Sequence, residues 1–216
     1  MAEDRSAIVD QILSAGAVAV VRVADPDRLS QVVDAIVKGG VRGIEITMSV
    51  PGAIEQIARL HSDYGSEILL GVGSVLDAET AEKAVNAGAR YVVSPVTNRS
   101  VVQAAHSKGV PALPGAFTPT EIQTAFEMGA DIVKVFPADV LGMPFFKGVL
   151  APMPHLRLMP TGGVTLSNAG DWLRAGACAV GVGSALLDKA AIAGGNWDQL
   201  TSNARQLVES IREARQ

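Results

Sequence analysis

Residues 112–137 read ALPGAFTPTEIQTAFEMGADIVKVFP, and the order of patterns in this stretch decides the fold. A short apolar run, Ala112–Pro114, is followed by a helical pattern over Pro119–Glu127. Thr118-Pro119 marks the helix start, because proline suits the first turn, and Gly129 marks its end, because glycine tolerates the left-handed C-cap conformation. A β-branched run, Ile132–Phe136, comes next. Strand, helix, glycine and strand in that order form a βα unit of a parallel sheet.

The same unit recurs on both sides. Strand patterns fall at Ala17–Val23, Gly43–Met48, Ile68–Gly73, Tyr91–Ser94, Leu156–Met159 and Ala179–Gly183. Helical patterns lie between them at Pro26–Lys38, Ala53–Tyr64, Ala78–Ala87, Ser100–Ser107, Pro144–Leu150 and Leu166–Ala175, with a shorter piece from Ala185. Further glycine stops stand at Gly39-Gly40, Gly88, Gly109 and Gly176, and Asp25-Pro26 is a further start. Eight units spaced by about twenty residues predict an α/β fold closed as a (β/α)8 TIM barrel. Two additional helices, Glu3–Ala15 and Trp197–Ala214, are expected to cover the barrel mouth or pack on its side. Residues 1–216 are expected to form a single domain, within the usual range of roughly 100 to 200 residues or slightly more. An open sheet binding a dinucleotide at Gly71-Val72-Gly73 fits less well, since Asp77 stands where the third fingerprint glycine belongs.

Composition narrows the function. The chain is 48% hydrophobic and 4% aromatic with 22 glycines, which suits short aliphatic strands and tight turns. A net charge of −4 without any basic run argues against nucleic acid and anionic membranes as partners. The acidic, polar start and the interrupted apolar run after it fit neither a signal peptide nor a membrane span. The single cysteine, Cys178, allows no intrachain disulfide or cysteine zinc site and reads as a small core residue, so a reducing cytoplasmic setting is expected. His61, His106 and His155 lack metal-ligand spacing, so no metal is expected, and no cofactor is expected either. Small-molecule chemistry remains.

Polar residues inside barrel strands carry the site argument, because a barrel's chemistry sits where strands end. Of six lysines, five fall in helix or turn patterns, while Lys134 lies inside Ile132-Val133-Lys134-Val135-Phe136. Alternation puts Ile132, Lys134 and Phe136 on one face. An inward, desolvated lysine has its neutral form favoured, and a neutral amine attacks a ketone to form a Schiff base. The structural alternative is a buried salt bridge or an edge lysine. In Ile44-Glu45-Ile46-Thr47-Met48, Glu45 shares a face with Thr47, and a carboxyl in a partly dry pocket can move protons near neutral pH. Its structural alternative is a plain partner for Lys134. Arg22 ends the first strand and suits a bidentate grip on a substrate carboxylate, or else an ion pair with Asp25 or Asp27. Thr161-Gly162-Gly163-Val164 and Gly181-Val182-Gly183-Ser184 follow the last two strands, where barrel loops commonly bind phosphate through backbone N–H groups at helix starts. Either turn alone is equally a tight connection.

Taken in order, Gly40–Thr47, Gly71–Leu76, Val93-Ser94-Pro95, Leu113-Pro114-Gly115, Val133–Ala138, Pro160–Val164 and Gly183-Ser184 make the chain resemble the 2-keto-3-deoxy-6-phosphogluconate (KDPG) and KHG/KDPG aldolases. The resemblance runs from about Ala17 to Leu187 and implies a class I aldolase that reversibly cleaves KDPG to pyruvate and glyceraldehyde 3-phosphate. It implies Lys134 as the imine-forming residue and Glu45 as the proton relay. It also implies a carboxylate pocket of Arg22, Thr47 and Ser74, lined by Pro95 and Phe136. Thr161, Gly162, Gly163, Gly183 and Ser184 correspond to a phosphate site. The resemblance further implies a metal-free cytoplasmic homotrimer. Two positions depart from the pattern: Ser49 replaces an arginine that some members carry, which shifts carboxylate binding toward Arg22, and Ser74 replaces a common threonine. The galactonate epimer of the substrate and 4-hydroxy-2-oxoglutarate fit the same mechanism. A sugar-phosphate epimerase or a non-catalytic phosphate-binding barrel would use the same residues without a covalent adduct.

Overall fold

A computed structural model describes residues 4–216. Its strands are β1 (Ala17–Val21), β2 (Gly43–Thr47), β3 (Leu69–Gly73), β4 (Val92–Val93), β5 (Ala112–Leu113), β6 (Gly115–Ala116), β7 (Val133–Val135), β8 (Leu158–Pro160) and β9 (Val180–Val182). The helices are α1 (Arg5–Ala15), α2 (Leu29–Lys38), α3 (Ala53–Tyr64), α4 (Ala78–Asn86), α5 (Arg99–Ser107), α6 (Pro119–Glu127), α7 (Ala138–Leu150), α8 (Ala169–Arg174), α9 (Lys189–Gly194) and α10 (Trp197–Ala214). All strand pairs are parallel, and every strand residue is buried, as expected for a sheet covered on both faces.

The strands form two curled sheets rather than the single closed ladder expected from the sequence. The larger has the order β5-β4-β3-β2-β1-β9, a half-barrel, and the smaller the order β6-β7-β8. The expected strand Ala112–Pro114 is the point of division. Pro114 has no N–H to give to the ladder, so the run splits into β5 and β6 on either side of it. An isolated parallel bridge between Thr161 and Gly181 joins β8 to β9 at the other edge.

Several elements are shorter than the pattern suggested, and two helices start elsewhere. The helix after β7 begins at Ala138, six residues before the expected Pro144, and breaks at Gly142, whose φ of 72° and ψ of 172° are not helical. Pro144 restarts it. The piece expected from Ala185 is a turn held by Leu186 and Leu187 amides on the Gly183 carbonyl, and α9 begins only at Lys189. The helix expected over Leu166–Ala175 is reduced to α8. The cap signals hold: Thr118 and Glu121 form a reciprocal capping box at the start of α6, satisfying two amides that the helix leaves free.

The terminal helices take different places. The expected start of α1 at Glu3 lies outside the described residues; Asp4 caps the helix by accepting from the Ser6 amide. It runs across the strand starts, with Arg5 paired to Asp131 at 3.2 Å and the Gly16 carbonyl accepting from Val180. The long α10 packs on the side, against α2 and α8. That approach requires glycines: a Cβ at Gly39 would stand 2.4 Å from Ala204 Cβ, and one at Gly170 would stand 2.4 Å from the Ser210 carbonyl. No described helix is long and apolar enough to cross a membrane.

Candidate active site

Register decides which residues share the inner, concave face. Val20 pairs with Glu45, Glu45 with Gly71, and Thr47 with Gly73, so these five positions line one side of the larger sheet. Across from them, Gly115 pairs with Lys134 and Lys134 with Met159. Ile44, Ile46, Val133 and Val135 point outward and are buried beneath the helices.

Lys134 is 2% exposed, and its Nζ lies 5.3 Å from the centre of the Phe136 ring. Among the described residues it has no carboxylate partner. Gly115 creates the space beside it, since a side chain there would strike the Pro95 carbonyl at 2.2 Å. The backbone of Pro95 therefore closes over the inner face next to Lys134. Pro95 and Phe136 also line a cavity of about 520 Å³ that extends toward Thr120 and Thr124 on α6.

Glu45 is fully buried, and neither carboxyl oxygen has a hydrogen-bond partner among the described residues. Burial pushes its proton affinity above the usual carboxylate range, partly offset by the positive charges of Lys134 and Arg22. The carboxyl leans over β3, where it occupies the space that a side chain at residue 73 would need. Gly71 serves the neighbouring position in the same way: Tyr91, entering from the other flank, lays its ring over it, with Cζ 2.3 Å from where a Cβ would stand. The glycines of Gly71-Val72-Gly73 thus clear the inner face for Glu45 and Tyr91.

The residues expected to bind the substrate carboxylate gather near the strand ends. Thr47 is buried, and its hydroxyl donates to the Val21 carbonyl at 3.0 Å while sharing a 2.8 Å hydrogen bond with Ser49. Ser49 thus fixes the Thr47 hydroxyl. Arg22 is exposed directly after β1 and, among the described residues, has no ion pair; Asp25 instead pairs with Arg28 at 3.4 Å. Ser74 has a φ of 62°, the one positive value at a described residue other than glycine. Such a backbone costs about 1–2 kcal/mol and persists where the surroundings impose it, often at functional positions.

At the phosphate end the expected pair of glycine turns comes together through the Thr161–Gly181 bridge. The turns do not lead directly into helices: α8 begins at Ala169 and α9 at Lys189. Loop amides replace helix-start amides there. The Gly162, Gly163 and Ser184 amides donate no hydrogen bond among the described residues. Gly162 and Gly163 have φ values of 96° and 69°, and a Cβ on Gly163 would stand 2.6 Å from Asp139 Cβ. Thr161 is buried with its hydroxyl unpartnered. No cluster of three or more His, Cys, Asp or Glu suited to a metal ion occurs among the described residues.

Tyr91 and Asp139 were not singled out by sequence patterning. For Tyr91 the signal was present, because alternation along Tyr91–Ser94 puts Tyr91 and Val93 on one face. Nothing local indicates that Asp139 packs on a loop more than twenty residues away.

A buried amine and a buried carboxyl whose proton affinity burial raises share the inner face of parallel βα sheets, a pairing chemically suited to bond changes next to a carbonyl. Over residues 8–203 the chain matches the family model described as KDPG and KHG aldolase. It therefore belongs to the KDPG and KHG aldolase family, and its relatives are aldolases, that is, carbon–carbon lyases. It is 38% identical to the 2-dehydro-3-deoxy-phosphogluconate aldolase of Treponema pallidum over 82% of this chain and 84% of that one. The 2-dehydro-3-deoxy-6-phosphogalactonate aldolase of Escherichia coli is 31% identical over 91% of this chain and 95% of its own. The crystal structure of KDPG aldolase from Legionella pneumophila, with pyruvate captured as a covalent carbinolamine, superposes with a TM-score of 0.86. It is 25% identical and covers 96% of this chain and 99% of that one.

Proposed function

We propose that this chain is a class I aldolase in which Lys134 condenses with the keto carbon of 2-keto-3-deoxy-6-phosphogluconate. The observation that carries the reading is Lys134 itself, buried and making no salt bridge among the described residues, on the same inner face as a carboxyl whose proton affinity burial raises. The Lys134 nitrogen adds to the C2 carbonyl while Glu45 protonates its oxygen, giving a carbinolamine. Glu45 regains a proton from nitrogen and passes it to the hydroxyl, which leaves as water, so that a protonated imine remains. The C3–C4 bond then breaks, its electron pair runs into the imine, and the C4 hydroxyl proton goes to the Glu45 carboxylate. Glyceraldehyde 3-phosphate departs. The enamine takes a proton back at C3, and water releases pyruvate and the free amine. One buried group thus both gives and takes the proton, which is why its affinity must lie near working pH.

Arg22, Thr47 and Ser74 hold the carboxylate, Pro95 and Phe136 wall the pyruvate, and Thr161, Gly162, Gly163, Gly183 and Ser184 receive the phosphate. The open amides of the two glycine turns support this last assignment. The two sheets close as one (β/α)8 barrel forming a single domain over residues 1–216. The protein needs no cofactor and works in the cytoplasm. Three copies associate, and the exposed apolar side chains Leu76, Val96 and Val140, the last 69% exposed, support an interface. The galactonate epimer is the second reading, favoured by the similarity to an aldolase named for it.

Borohydride reduction in the presence of pyruvate, followed by peptide mapping, tests the chemistry. The expected result is a stable adduct on Lys134, absent from Lys134→Ala. Unlabelled protein that still isomerises sugar phosphates would establish an epimerase instead. Comparing kcat/KM on the gluconate and galactonate epimers decides the substrate.

A further inference from the structure

Tyr91 is fully buried, and its hydroxyl has no hydrogen-bond partner among the described residues. Glu45 shares both properties. A buried hydroxyl left unsatisfied costs about 1–3 kcal/mol, and groups this deep are ordinarily served by a neighbour or an internal water. The fold offers one arrangement. Glu45 enters from β2 and Tyr91 from the start of β4, and both lean across β3, over Gly73 and Gly71 respectively. Those glycines lie two residues apart on one face, about 6.6 Å along the strand, so the ring and the carboxyl that lean over them are neighbours. The two groups are near enough for the Glu45 charge to act on the Tyr91 hydroxyl, and an internal water is the ordinary way to serve two such buried groups.

We propose that Tyr91 is a positioning residue for the Glu45 carboxyl, its hydroxyl donating through one internal water to a carboxyl oxygen. The inference rests on the aldolase reading, for which it names the group that sets when Glu45 releases its proton. Lys134 on β7 and Arg22 after β1 face the same carboxyl with positive charge, while Tyr91 faces it with a neutral donor. The phenol remains such a donor because burial, and then the Glu45 charge, hold its own ionisation well above the usual 10. Donation favours the carboxylate form. The hydroxyl therefore opposes the effect of burial on Glu45.

The test is infrared titration of the Glu45 carboxyl band, identified by its loss in Glu45→Gln, in the parent and in Tyr91→Phe. Phenylalanine retains the ring that fills the space above Gly71. The expected result is a Glu45 midpoint about one pH unit higher in Tyr91→Phe, a tenfold change in proton affinity. The limb of the kcat/KM profile that Glu45→Gln removes should move with it. An unchanged or lowered midpoint overturns the proposal. Should Tyr91→Phe fail to fold, fluorotyrosine incorporation in a Tyr64→Phe background replaces it. The more acidic phenol should lower the midpoint, and no movement again overturns the proposal. Borohydride trapping of pyruvate on the parent is read alongside: no adduct defeats the aldolase reading, whereas an adduct with an unmoved midpoint defeats only the role of Tyr91.

Discussion

The carboxyl of Glu45 occupies the place of a side chain at Gly73: a Cβ built there would stand 1.8 Å from Oε1. Gly73 has an ordinary negative φ, so its backbone accepts alanine and the whole effect of Gly73→Ala falls on the carboxyl. With Glu45 buried, the added methyl group must displace the carboxyl from the place it holds. The expected outcome is a kcat lowered by about 10²-fold, the usual worth of a positioned proton-transfer group, with the far-ultraviolet circular dichroism retained. Steady-state kinetics beside the spectrum check this, and near-parental turnover would show that the carboxyl's place is unimportant.

Gly71→Ala tests the neighbouring contact. The new Cβ would lie 2.3–2.5 Å from three Tyr91 ring carbons, and the ring is enclosed by buried side chains. Overpacking of this kind costs about 1–3 kcal/mol. Urea unfolding should show that loss, and Gly71→Ala combined with Tyr91→Ala should lose less than the two single changes summed, because removal of the ring relieves the clash.

Glu45 also makes a prediction about stability and pH. Its folded proton affinity is raised above the ordinary 4.5, chiefly by burial, so the folded chain binds a proton that the unfolded chain has released. Stability is then full below pH 4.5 as far as this group is concerned, and it falls as pH rises from there through the raised folded value. In Glu45→Gln this loss should disappear, so the variant gains on the parent as pH increases. Urea midpoints measured at several pH values decide it. A constant difference between the two proteins would mean that Glu45 ionises as freely when folded as when unfolded.

The βα order was legible because the strands here are largely built of apolar residues and each helix is bounded by caps and glycines that act locally. Helix α6, with its Thr118-Pro119 start, needed nothing else. The division at Pro114 was also written in the sequence, since a proline cannot donate to a ladder, but the run around it reads as one strand until its partners are known. Lys134 and Glu45 stood out as charges among branched aliphatic residues. Tyr91 did not, because an aromatic residue in a strand is ordinary, and only the pairing of β2, β3 and β4 reveals that it shares two glycines' worth of space with Glu45. The α7 break had a local signal in Gly142 and Pro144, but whether the chain before it is helical depends on packing.

Asp131 opens the strand that carries Lys134, and its carboxylate joins three parts of the chain. Oδ2 accepts from the Ala112 amide at 2.9 Å and lies 3.0 Å from His106 Nε2, while Oδ1 pairs with Arg5 at 3.2 Å. The Asp131 amide donates back to the Ala112 carbonyl, so this residue ties the run holding β5 and β6 to β7. The side chain of Asp131 is 11% exposed, against 42% for Arg5, so the three contacts are unequal. The exposed ion pair is worth about 0–1 kcal/mol, whereas removing a mostly buried acceptor leaves the Ala112 amide unsatisfied at about 1–3 kcal/mol. Asp131→Ala should therefore lose about 1–3 kcal/mol in urea unfolding. Asp131→Asn, which keeps an acceptor oxygen, should lose less, and Arg5→Ala less than 1 kcal/mol or about that. If Arg5→Ala proved as costly as Asp131→Ala, the link to α1 rather than the tie between the strands would be what holds β7, and with it Lys134, in register.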